Sequence, residues 1–316
     1  MQNMNDHSLS HQVELPAIAA PMFLVSSPQM VIESCKNGVI GTFPLLNART
    51  GEILEEWMRK IKNEVESDSV TKMAPWGVNL IVHRTNNRYE SDLELVKKYQ
   101  PPIVITSLGN PTAVVDIVHE YGGHVFSDVI TIKHAKKAAQ AGVDGLILVC
   151  NGAGGHGGKI NPLAFLAEVK EFWDGFTVLA GAISNGRDIL AAKVLGADFS
   201  YIGTRFIATN EAIAQDEYKE MLVESKSDDI IYTDAISGVN ANFLRPSIEK
   251  AGLDADNLQK KETVDVVHNQ DDAKSWKDIW SAGQGVGAIK DVQPIAEVIN
   301  ELKAEYKEAV TKVTEK

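Results

Sequence analysis

The chain has 316 residues, of which 44% are hydrophobic and 23% charged, a composition typical of a soluble globular protein. Its formal net charge of −12 argues against a nucleic-acid-binding surface. No apolar run reaches the length of a transmembrane helix, about 18 residues, and the first fourteen residues carry no secretory signal pattern. These features predict a cytoplasmic protein with no membrane partner.

The two cysteines, Cys35 and Cys150, lie in separate apolar segments. Neither has a metal-ligand spacing, and disulfides are rare in cytosolic proteins. We therefore predict two buried thiols, no disulfide and no metal site.

Eight short apolar runs, rich in Val and Ile, are typical of strands buried on both faces of a parallel sheet. They are Ile18–Val25, Gly38–Phe43, Trp76–Val82, Pro102–Leu108, His124–Val129, Val143–Val149, Thr177–Ile183 and Phe199–Gly203. Amphipathic helical patterns alternate with them: Glu52–Glu66, Asp92–Tyr99, Thr112–Tyr121, Ile132–Ala141, Pro162–Phe172 and Arg187–Leu195. Asn161 before Pro162 predicts a helix start, and Gly142 and Gly196 predict helix ends.

Eight strands alternating with helices favour an α/β fold of the (β/α)8 TIM-barrel type over an open doubly wound sheet. An open sheet would carry a glycine-rich phosphate-binding turn after its first strand, and the turn at residues 19–22 has no glycine. We assign residues 15–210 and 279–316 to the barrel. Polarity rises in residues 211–278, which we predict to be a smaller, mostly helical inserted lid with helices at Asp216–Ser225 and Ser247–Gly252. A final helix is predicted at Val292–Val313.

A glycine-rich segment, residues 151–158, follows the sixth predicted strand and contains His156. Five glycines in eight residues let a backbone approach a ligand closely, so the segment suggests a flat cofactor beside a titratable imidazole. An ordinary glycine-rich loop with a solvated histidine explains the segment alone equally well.

Small residues end the seventh and eighth strands, and each turn leads into a helix. Gly181 and Ala182 stand at the first turn, and Gly203 and Thr204 at the second. Backbone N–H groups at helix starts favour a phosphate dianion, and TIM barrels commonly build a phosphate site from these two loops. The alternative is that the glycines only form tight turns.

A phosphate at that place would put the rest of a mononucleotide, with a flavin ring, across the barrel mouth near strands one and three. The backbone of Ala20, Pro21 and Met22 could then pass close to the ring, and the Asn79 amide could match its donor–acceptor edge. A structural amide with a backbone partner is the alternative for Asn79.

Several motifs together resemble the nitronate monooxygenases, formerly called 2-nitropropane dioxygenases, over roughly residues 16–300. They are Ala20-Pro21-Met22, Gly77-Val78-Asn79, Ala141-Gly142-Val143-Asp144, Ala153-Gly154-Gly155-His156, Gly181-Ala182-Ile183, Gly203-Thr204-Arg205-Phe206 and Ala282-Gly283-Gln284-Gly285. The resemblance implies a TIM barrel with noncovalently bound FMN, a mobile helical lid, and oxidation of alkyl nitronates by O2 to a carbonyl compound and nitrite. It also allows a homodimer.

Carried over by motif, His156 is the catalytic histidine beside the flavin and substrate. The residues expected to contact FMN are Ala20, Pro21, Met22, Asn79, Asp128, Gly154, Gly155, Gly181, Ala182, Gly203, Thr204 and Gln284.

Two positions depart from the family pattern. Residues 149–152 read Val-Cys-Asn-Gly where the family often has Gln-Gly-x-Glu, and Asp128 stands where a Lys or Gln is common. A carboxylate at the flavin N1–C2=O edge would disfavour the anionic reduced flavin. We prefer the alternative that Asp128 caps a helix.

Two other functions remain open. An FMN-dependent NAD(P)H reductase, of the quinone or enoyl-acyl-carrier-protein type, would use the same barrel, since such relatives bind NAD(P)H without a separate fingerprint. A phosphate-binding lyase or isomerase without redox chemistry would need a lysine or carboxylates at several strand ends, and only Asp128 qualifies.

Overall fold

The computed structural model describes residues 9–67, 73–259 and 278–315, in which eight parallel strands close into a barrel. The barrel strands are β1 (Ala17–Ala19), β2 (Ile40–Pro44), β3 (Trp76–Ile81), β4 (Ile103–Ser107), β5 (His124–Val129), β6 (Gly145–Val149), β8 (Phe176–Ala180) and β9 (Phe199–Ile202). β1 pairs with both β2 and β9, which closes the barrel. The prediction of a (β/α)8 barrel is confirmed, and each of the eight predicted runs overlaps a barrel strand.

Helices follow the strands around the outside of the barrel. They are α1 (Pro28–Lys36), α2 (Gly51–Val65), α3 (Tyr89–Tyr99), α4 (Thr112–Glu120), α5 (Ile132–Gln140), α6 (Pro162–Lys170), α7 (Gly186–Leu195) and the short α8 (Thr204–Ile207). The predicted end signals hold, because the Asn161 side chain accepts a hydrogen bond from Leu163 N at the start of α6. Gly142 and Gly196 take positive φ angles of 85° and 102° at the ends of α5 and α7.

The helix α1 is absent from the predicted set. Its start is nonetheless marked in the sequence, since Ser27 caps the backbone N–H of Met30 and Pro28 occupies the first helical turn. Ser27 and Pro28 lie just beyond the first predicted strand, Ile18–Val25, which is too long.

Two predicted strands extend past their true ends because the backbone turns there. After β1, Met22 N donates to Ser26 Oγ and Leu24 takes a φ of 59°, so residues 20–26 form a turn over the barrel mouth. After β8, Gly181 and Ala182 take φ angles of 131° and 56°. These turns bring backbone, rather than strand edges, to the carboxyl end of the barrel.

The core has two layers. Inside the barrel, apolar side chains from alternate strand positions pack together, among them Ile18, Ile105, Phe126, Ile147 and Phe199. A larger apolar layer fills the space between the strands and the surrounding helices. Cys35 and Cys150 are both buried, unpaired thiols in this outer layer, as their apolar surroundings indicate.

The segment after the barrel combines helices with a small sheet. Helices α9 (Asp216–Glu224) and α10 (Arg245–Lys250) lie where they were predicted, but strands β10 (Ile230–Thr233) and β11 (Ala241–Leu244) form an antiparallel pair between them. The prediction of a mostly helical segment did not include this hairpin, whose strands are only four residues each. Residues 260–277 of the predicted lid lie outside the described residues.

The last helix, α11 (Ile295–Thr314), returns to the barrel and fixes the C-terminal segment to it. Glu305 accepts a hydrogen bond from Gly186 N at 2.7 Å, and Glu301 pairs with the buried Arg205 at 2.7 Å. None of the helices among the described residues has the length and apolarity to cross a membrane.

Candidate active site

A cavity of about 590 Å³ opens at the carboxyl ends of the barrel strands. Its volume falls within the range of roughly 300–1,000 Å³ that is usual for small-molecule and cofactor sites. The predicted site residues that line it are Ala20, Pro21, Met22, Asn79, Asp128, Gly154, Gly155, His156, Gly181, Ala182, Gly203 and Thr204. The barrel thus brings together residues that lie up to 184 positions apart in the chain.

His156 is held in a strand rather than in a loop. With Gly155 it forms the two-residue strand β7, which pairs antiparallel with β11 and places His156 opposite Ala241. Its Nε2 lies 3.4 Å from Ser237 Oγ, which is also on the inserted segment. The catalytic candidate is therefore positioned by the hairpin, a contact that the sequence analysis did not predict.

Some of the glycines around His156 are required by the packing of neighbouring chain segments, and not only by the close approach of a ligand. A Cβ at Gly154 would lie 2.9 Å from the backbone nitrogen of Gly283, so only glycine lets these two segments meet. Gly155 has open space around it but a φ of 69°, which also favours glycine. The expectation that all five glycines leave room for a flat cofactor is too broad, because Gly154 is needed by a neighbouring loop.

The backbone N–H groups at the start of α7, which were predicted to bind a phosphate, already have acceptors within the chain. The N–H groups of Ser184 and Asn185 donate to the Asp188 carboxylate, and those of Arg187 and Asp188 donate to Asn185 Oδ1. With Gly186 N bound to Glu305, the start of α7 is satisfied within the chain. An anion here would have to bind to the turn before the helix, at Gly181 and Ala182, rather than to the helix start.

The turn after β9 carries a hydroxyl with an unused donor. Thr204 is 9% exposed, and its Oγ1 accepts a hydrogen bond of 2.9 Å from Gly283 N. A hydroxyl that accepts one bond still has its own O–H to donate. Thr204 therefore offers a donor to the cavity while it fixes the 282–285 loop.

A chain of hydrogen bonds crosses three neighbouring strand ends. Asn79 donates through Nδ2 to Ile105 O at 3.2 Å and to Ser107 Oγ at 2.7 Å, and Ser107 donates to Asp128 Oδ2 at 2.5 Å. Both Asn79 hydrogens are used, so the amide is structural and also presents its oxygen as the remaining acceptor. The structural and cavity interpretations of Asn79 are thus compatible.

Asp128 is not a helix cap. The cap of α5 is Thr131, whose hydroxyl accepts from His134 N, whereas Asp128 lies inside β5. Burial raises the pKa of the Asp128 carboxyl to about 6, and the hydrogen bond from Ser107 acts in the opposite direction. Its Oδ1 is buried and accepts no hydrogen bond from the described residues.

Tyr201 is the most informative residue that the sequence analysis missed. It lines the same cavity, its hydroxyl is buried without a described partner, and burial together with the Asp128 charge raises its pKa well above the usual range. The strand pattern could have identified it. Side chains two positions apart in a strand point to the same face, and Phe199 points into the barrel, so Tyr201 does too. Tyr201 therefore remains protonated at neutral pH.

Aromatic residues from the inserted segment and from the chain that follows it line one side of the cavity. Tyr218 stacks on Trp280 with ring centroids 5.0 Å apart, and both line the cavity with Ser281. Tyr218 also donates a hydrogen bond to Ser281 O. No sequence motif identified this wall, since it joins residues on either side of the segment 260–277.

Gln284 is the exception among the predicted site residues. It is exposed and is not part of the cavity wall, although its neighbours Gly283 and Gly285 are. Its backbone N–H donates to Gly152 O at 2.9 Å. The 282–285 loop therefore lines the cavity through its glycines, while the exposed Gln284 side chain lies with its Oε1 beside Gly152.

Comparison with known proteins agrees with this geometry. The model of the family described as "Nitronate monooxygenase" matches residues 47–305. The chain belongs to the nitronate monooxygenase family.

One curated relative and two solved structures match nearly the whole length of this family member. A nitronate monooxygenase of Neurospora crassa is 25% identical, over 94% of this chain and 90% of its own. The fold is similar to that of nitroalkane oxidase from Streptomyces ansochromogenes, with a TM-score of 0.83, 23% identity and coverage of 97% and 99% of the two chains. It is also similar to FabK from Thermotoga maritima, with a TM-score of 0.78, 23% identity and coverage of 98% and 97%.

Membership makes this chain an oxidoreductase of a flavoenzyme family. Its cavity fits such a cofactor on independent grounds. Three buried polar atoms without a described partner, Asp128 Oδ1, Tyr201 OH and Ser281 Oγ, belong to residues of this wall. Buried polar groups normally find partners, so their grouping here indicates a polar ligand.

Proposed function

We propose that this nitronate monooxygenase family member binds FMN and oxidises alkyl nitronates with O2 to a carbonyl compound and nitrite. The observation that carries the proposal is the meeting of His156 with the two strand-end turns at one cavity, in a chain of this family. The turns supply anion donors, and the imidazole supplies the one titratable nitrogen base of the predicted set.

Different residues of the chain would contact the phosphate and the rest of FMN. The backbone at Gly181, Ala182, Gly203 and Thr204, with the Thr204 hydroxyl, would bind the phosphate at the end of the barrel where TIM barrels commonly hold one. The remaining contacts would come from Ala20, Pro21, Met22, Asn79, Gly154 and Gly155 on the cavity wall. Asp128 belongs to the same wall.

FMN, when bound, supplies the electron transfer between nitronate and oxygen. His156 would hydrogen-bond to the nitronate oxygens and fix the substrate on one side of the cavity. A nitronate carries its negative charge on these oxygens, so an N–H donor at this place stabilises the bound anion. The pairing of His156 with the β11 hairpin fixes the direction of that donor.

The aromatic wall of Tyr218 and Trp280 would limit the access of water to the cavity that contains His156. Both residues are largely buried, at 7% and 4% exposure, so they form a rigid cover rather than a solvated surface. Water exclusion strengthens the hydrogen bond from His156, because electrostatic interactions are stronger in a less polar environment.

The test is a comparison of flavin content and turnover. The purified protein should absorb near 450 nm, the general flavin band, and should consume O2 and release nitrite with ethyl nitronate. His156→Ala should retain FMN and lose turnover, whereas His119→Gln should behave as the parent, because His119 pairs with Asp144 at the far end of the barrel. A colourless protein, or full turnover in His156→Ala, would overturn the proposal.

A further inference from the structure

The turn over the barrel mouth, residues 20–26, contains a backbone conformation that a leucine rarely adopts. Leu24 has a φ of 59°, in the left-handed region that residues other than glycine seldom occupy, because Cβ meets the following carbonyl oxygen there. Leu24 lines the cavity together with Pro21 and Met22. Such a conformation persists only where surrounding contacts fix it, so the partners of the turn decide its shape.

The main partner of this turn is Asn47, a buried residue that was not among the predicted site residues. Its Oδ1 accepts a hydrogen bond from Leu24 N at 3.0 Å, and its Nδ2 donates to Met22 O and Ser26 O, both at 2.9 Å. Both amide hydrogens are therefore used within the turn. One side chain thus holds the backbone of three residues of the turn, including the leucine with the positive φ.

Asn47 is itself fixed by elements outside the cavity. It ends the 3₁₀ turn Leu45–Asn47, which directly follows β2. The next residue, Ala48, is fully buried, and its carbonyl accepts a hydrogen bond from the guanidinium of Arg88. Arg88 is paired at 2.9 Å with Asp92, a buried carboxylate in α3. The position of the amide is therefore set by β2 and by the start of α3, and does not depend on a ligand.

The 20–26 turn contacts two other parts of the cavity wall. A Cβ at Gly203 would lie 3.5 Å from Met22 Sδ, so the Met22 side chain reaches the turn after β9 to which we assign the phosphate. Val25 O accepts a hydrogen bond of 2.9 Å from Ile213 N, and Ile213 lines the cavity from the start of the inserted segment. A change in the shape of the turn would therefore move the cavity wall on both sides of it.

We propose that Asn47 is a positioning residue for the flavin: its amide holds the 20–26 turn, and with it Met22 and Leu24, in the shape that binds FMN. The inference rests on the proposed function, since it takes FMN as the ligand of the cavity. Without the amide, three backbone groups lose a partner, and the left-handed conformation of Leu24 loses the hydrogen bond that fixes it. A relaxed turn would have to be reordered when the ligand binds, so FMN should bind more weakly.

The first experiment measures the binding of FMN to flavin-free protein by fluorescence quenching. In Asn47→Ala the Kd should rise by about tenfold or more, the scale of one net hydrogen bond. Asn37→Ala is the matched control, because it removes a bond of the same kind, from Nδ2 to Glu33 O at 2.8 Å, at the end of α1 and at the opposite end of the barrel. It should lower the Tm and leave the Kd unchanged. A parent-like Kd in Asn47→Ala, or an equal rise in both variants, would overturn the proposal.

A double-mutant comparison separates positioning from general stability. Glycine adopts a positive φ without steric cost, so a turn with Leu24→Gly depends less on Asn47. The rise in Kd caused by Asn47→Ala should be at least about threefold smaller in the Leu24→Gly background than in the parent background. Comparing the two ratios cancels the loss of the Leu24 side chain from the cavity wall. Equal ratios would show that Asn47 does not act through Leu24, and would contradict the proposal.

Ser26→Ala tests the same turn with a smaller change and serves if Asn47→Ala fails to fold. Ser26 is fully buried, and its Oγ accepts a hydrogen bond of 2.9 Å from Met22 N. The variant should raise the Kd for FMN by about threefold or more, because Met22 N loses its acceptor. A parent-like Kd in Ser26→Ala would contradict the positioning role of the turn.

Failure of the proposed function would give a different result. A parent that binds no FMN, or that releases no nitrite from ethyl nitronate, would overturn the proposed function. Equal Kd values for FMN in the parent, Asn47→Ala and Ser26→Ala, with the parent active on ethyl nitronate, would overturn only the role of Asn47.

Discussion

His156 lies opposite Ala241 in an antiparallel strand pair, so the histidine that follows the sixth barrel strand is held by the segment inserted after the last one. The pairing is reinforced by Asn242, a buried residue whose Nδ2 donates to Ala153 O at 2.6 Å. The inserted segment is therefore part of the active-site frame and not only a cover over it.

Asn242→Ala should weaken this frame. It removes the donor from the buried Ala153 carbonyl, a loss that costs about 1–3 kcal/mol, and frees the Gly-His segment to move. We expect a lower Tm and a lower kcat on ethyl nitronate, with the flavin retained. Asn257→Ala, an exposed amide of the same segment, is the matched control and should leave both values unchanged. Parent kcat in Asn242→Ala would show that the hairpin does not position His156.

Gly154 and Gly155 offer a paired test of the glycine-rich segment. Gly154→Ala places a methyl group 2.9 Å from Gly283 N, which is backbone and cannot move aside cheaply, so we expect loss of several kcal/mol of stability and of bound flavin. Gly155→Ala meets no neighbouring atom, so only its φ of 69° should lower the free energy of unfolding, by about 1–2 kcal/mol. Thermal unfolding and flavin absorbance of the two variants measure the difference. Equal destabilisation would contradict the close contact between residues 154 and 283.

Thr204→Val should weaken FMN binding. The change keeps the shape of the side chain but removes the acceptor for Gly283 N and the hydroxyl donor that we assign to the phosphate. We expect the Kd for FMN to rise at least tenfold in a fluorescence-quenching titration of flavin-free protein, which corresponds to about 1.4 kcal/mol. Thr204→Ser retains the hydroxyl and should bind FMN nearly as the parent does. A parent-like Kd in Thr204→Val would place the phosphate elsewhere.

Much of this architecture follows from local sequence patterns. The barrel could be predicted because each strand is a separate apolar run, and the end signals of α5, α6 and α7 are single residues with fixed conformational preferences. The candidate wall also follows from pattern, since the carboxyl ends of parallel strands gather at one end of a barrel. His156, Gly181 and Thr204 meet there for this reason.

The parts that were not predicted depend on contacts between distant segments. The role of Gly154 is set by Gly283, the pairing of His156 by Ala241, and the environment of Asp128 by Ser107. The cap expected of Asp128 is provided by Thr131, three residues later, because the strand continues past the aspartate. Local patterns carry no information about which distant segment arrives beside a residue.

The source of electrons distinguishes the proposed function from that of a flavin-dependent NAD(P)H reductase. Without oxygen, the yellow protein should be bleached by ethyl nitronate and should remain oxidised with NADH or NADPH over the same time. The measurement is the absorbance near 450 nm after rapid mixing. Rapid bleaching by NADH would favour the reductase.

The pKa of Asp128 also makes a prediction about stability. Its folded-state pKa of about 6 lies above the ordinary value of 3.8, so the folded protein binds the proton more tightly than the unfolded chain does. Below about pH 4 the carboxyl is protonated in both states and does not change the free energy of unfolding. As the pH rises, its ionisation destabilises the folded protein, and above about pH 6 this destabilisation reaches its full value of no more than about 3 kcal/mol.

Asp128→Asn should therefore be more stable than the parent at pH 7.5 and about equally stable at pH 4, when both are measured without flavin. The amide oxygen can still accept the hydrogen bond from Ser107, so the comparison isolates the buried charge. Urea unfolding of the two proteins at both pH values measures the effect. Equal stability at pH 7.5 would show that the carboxyl is solvated in the folded protein and titrates in its ordinary range.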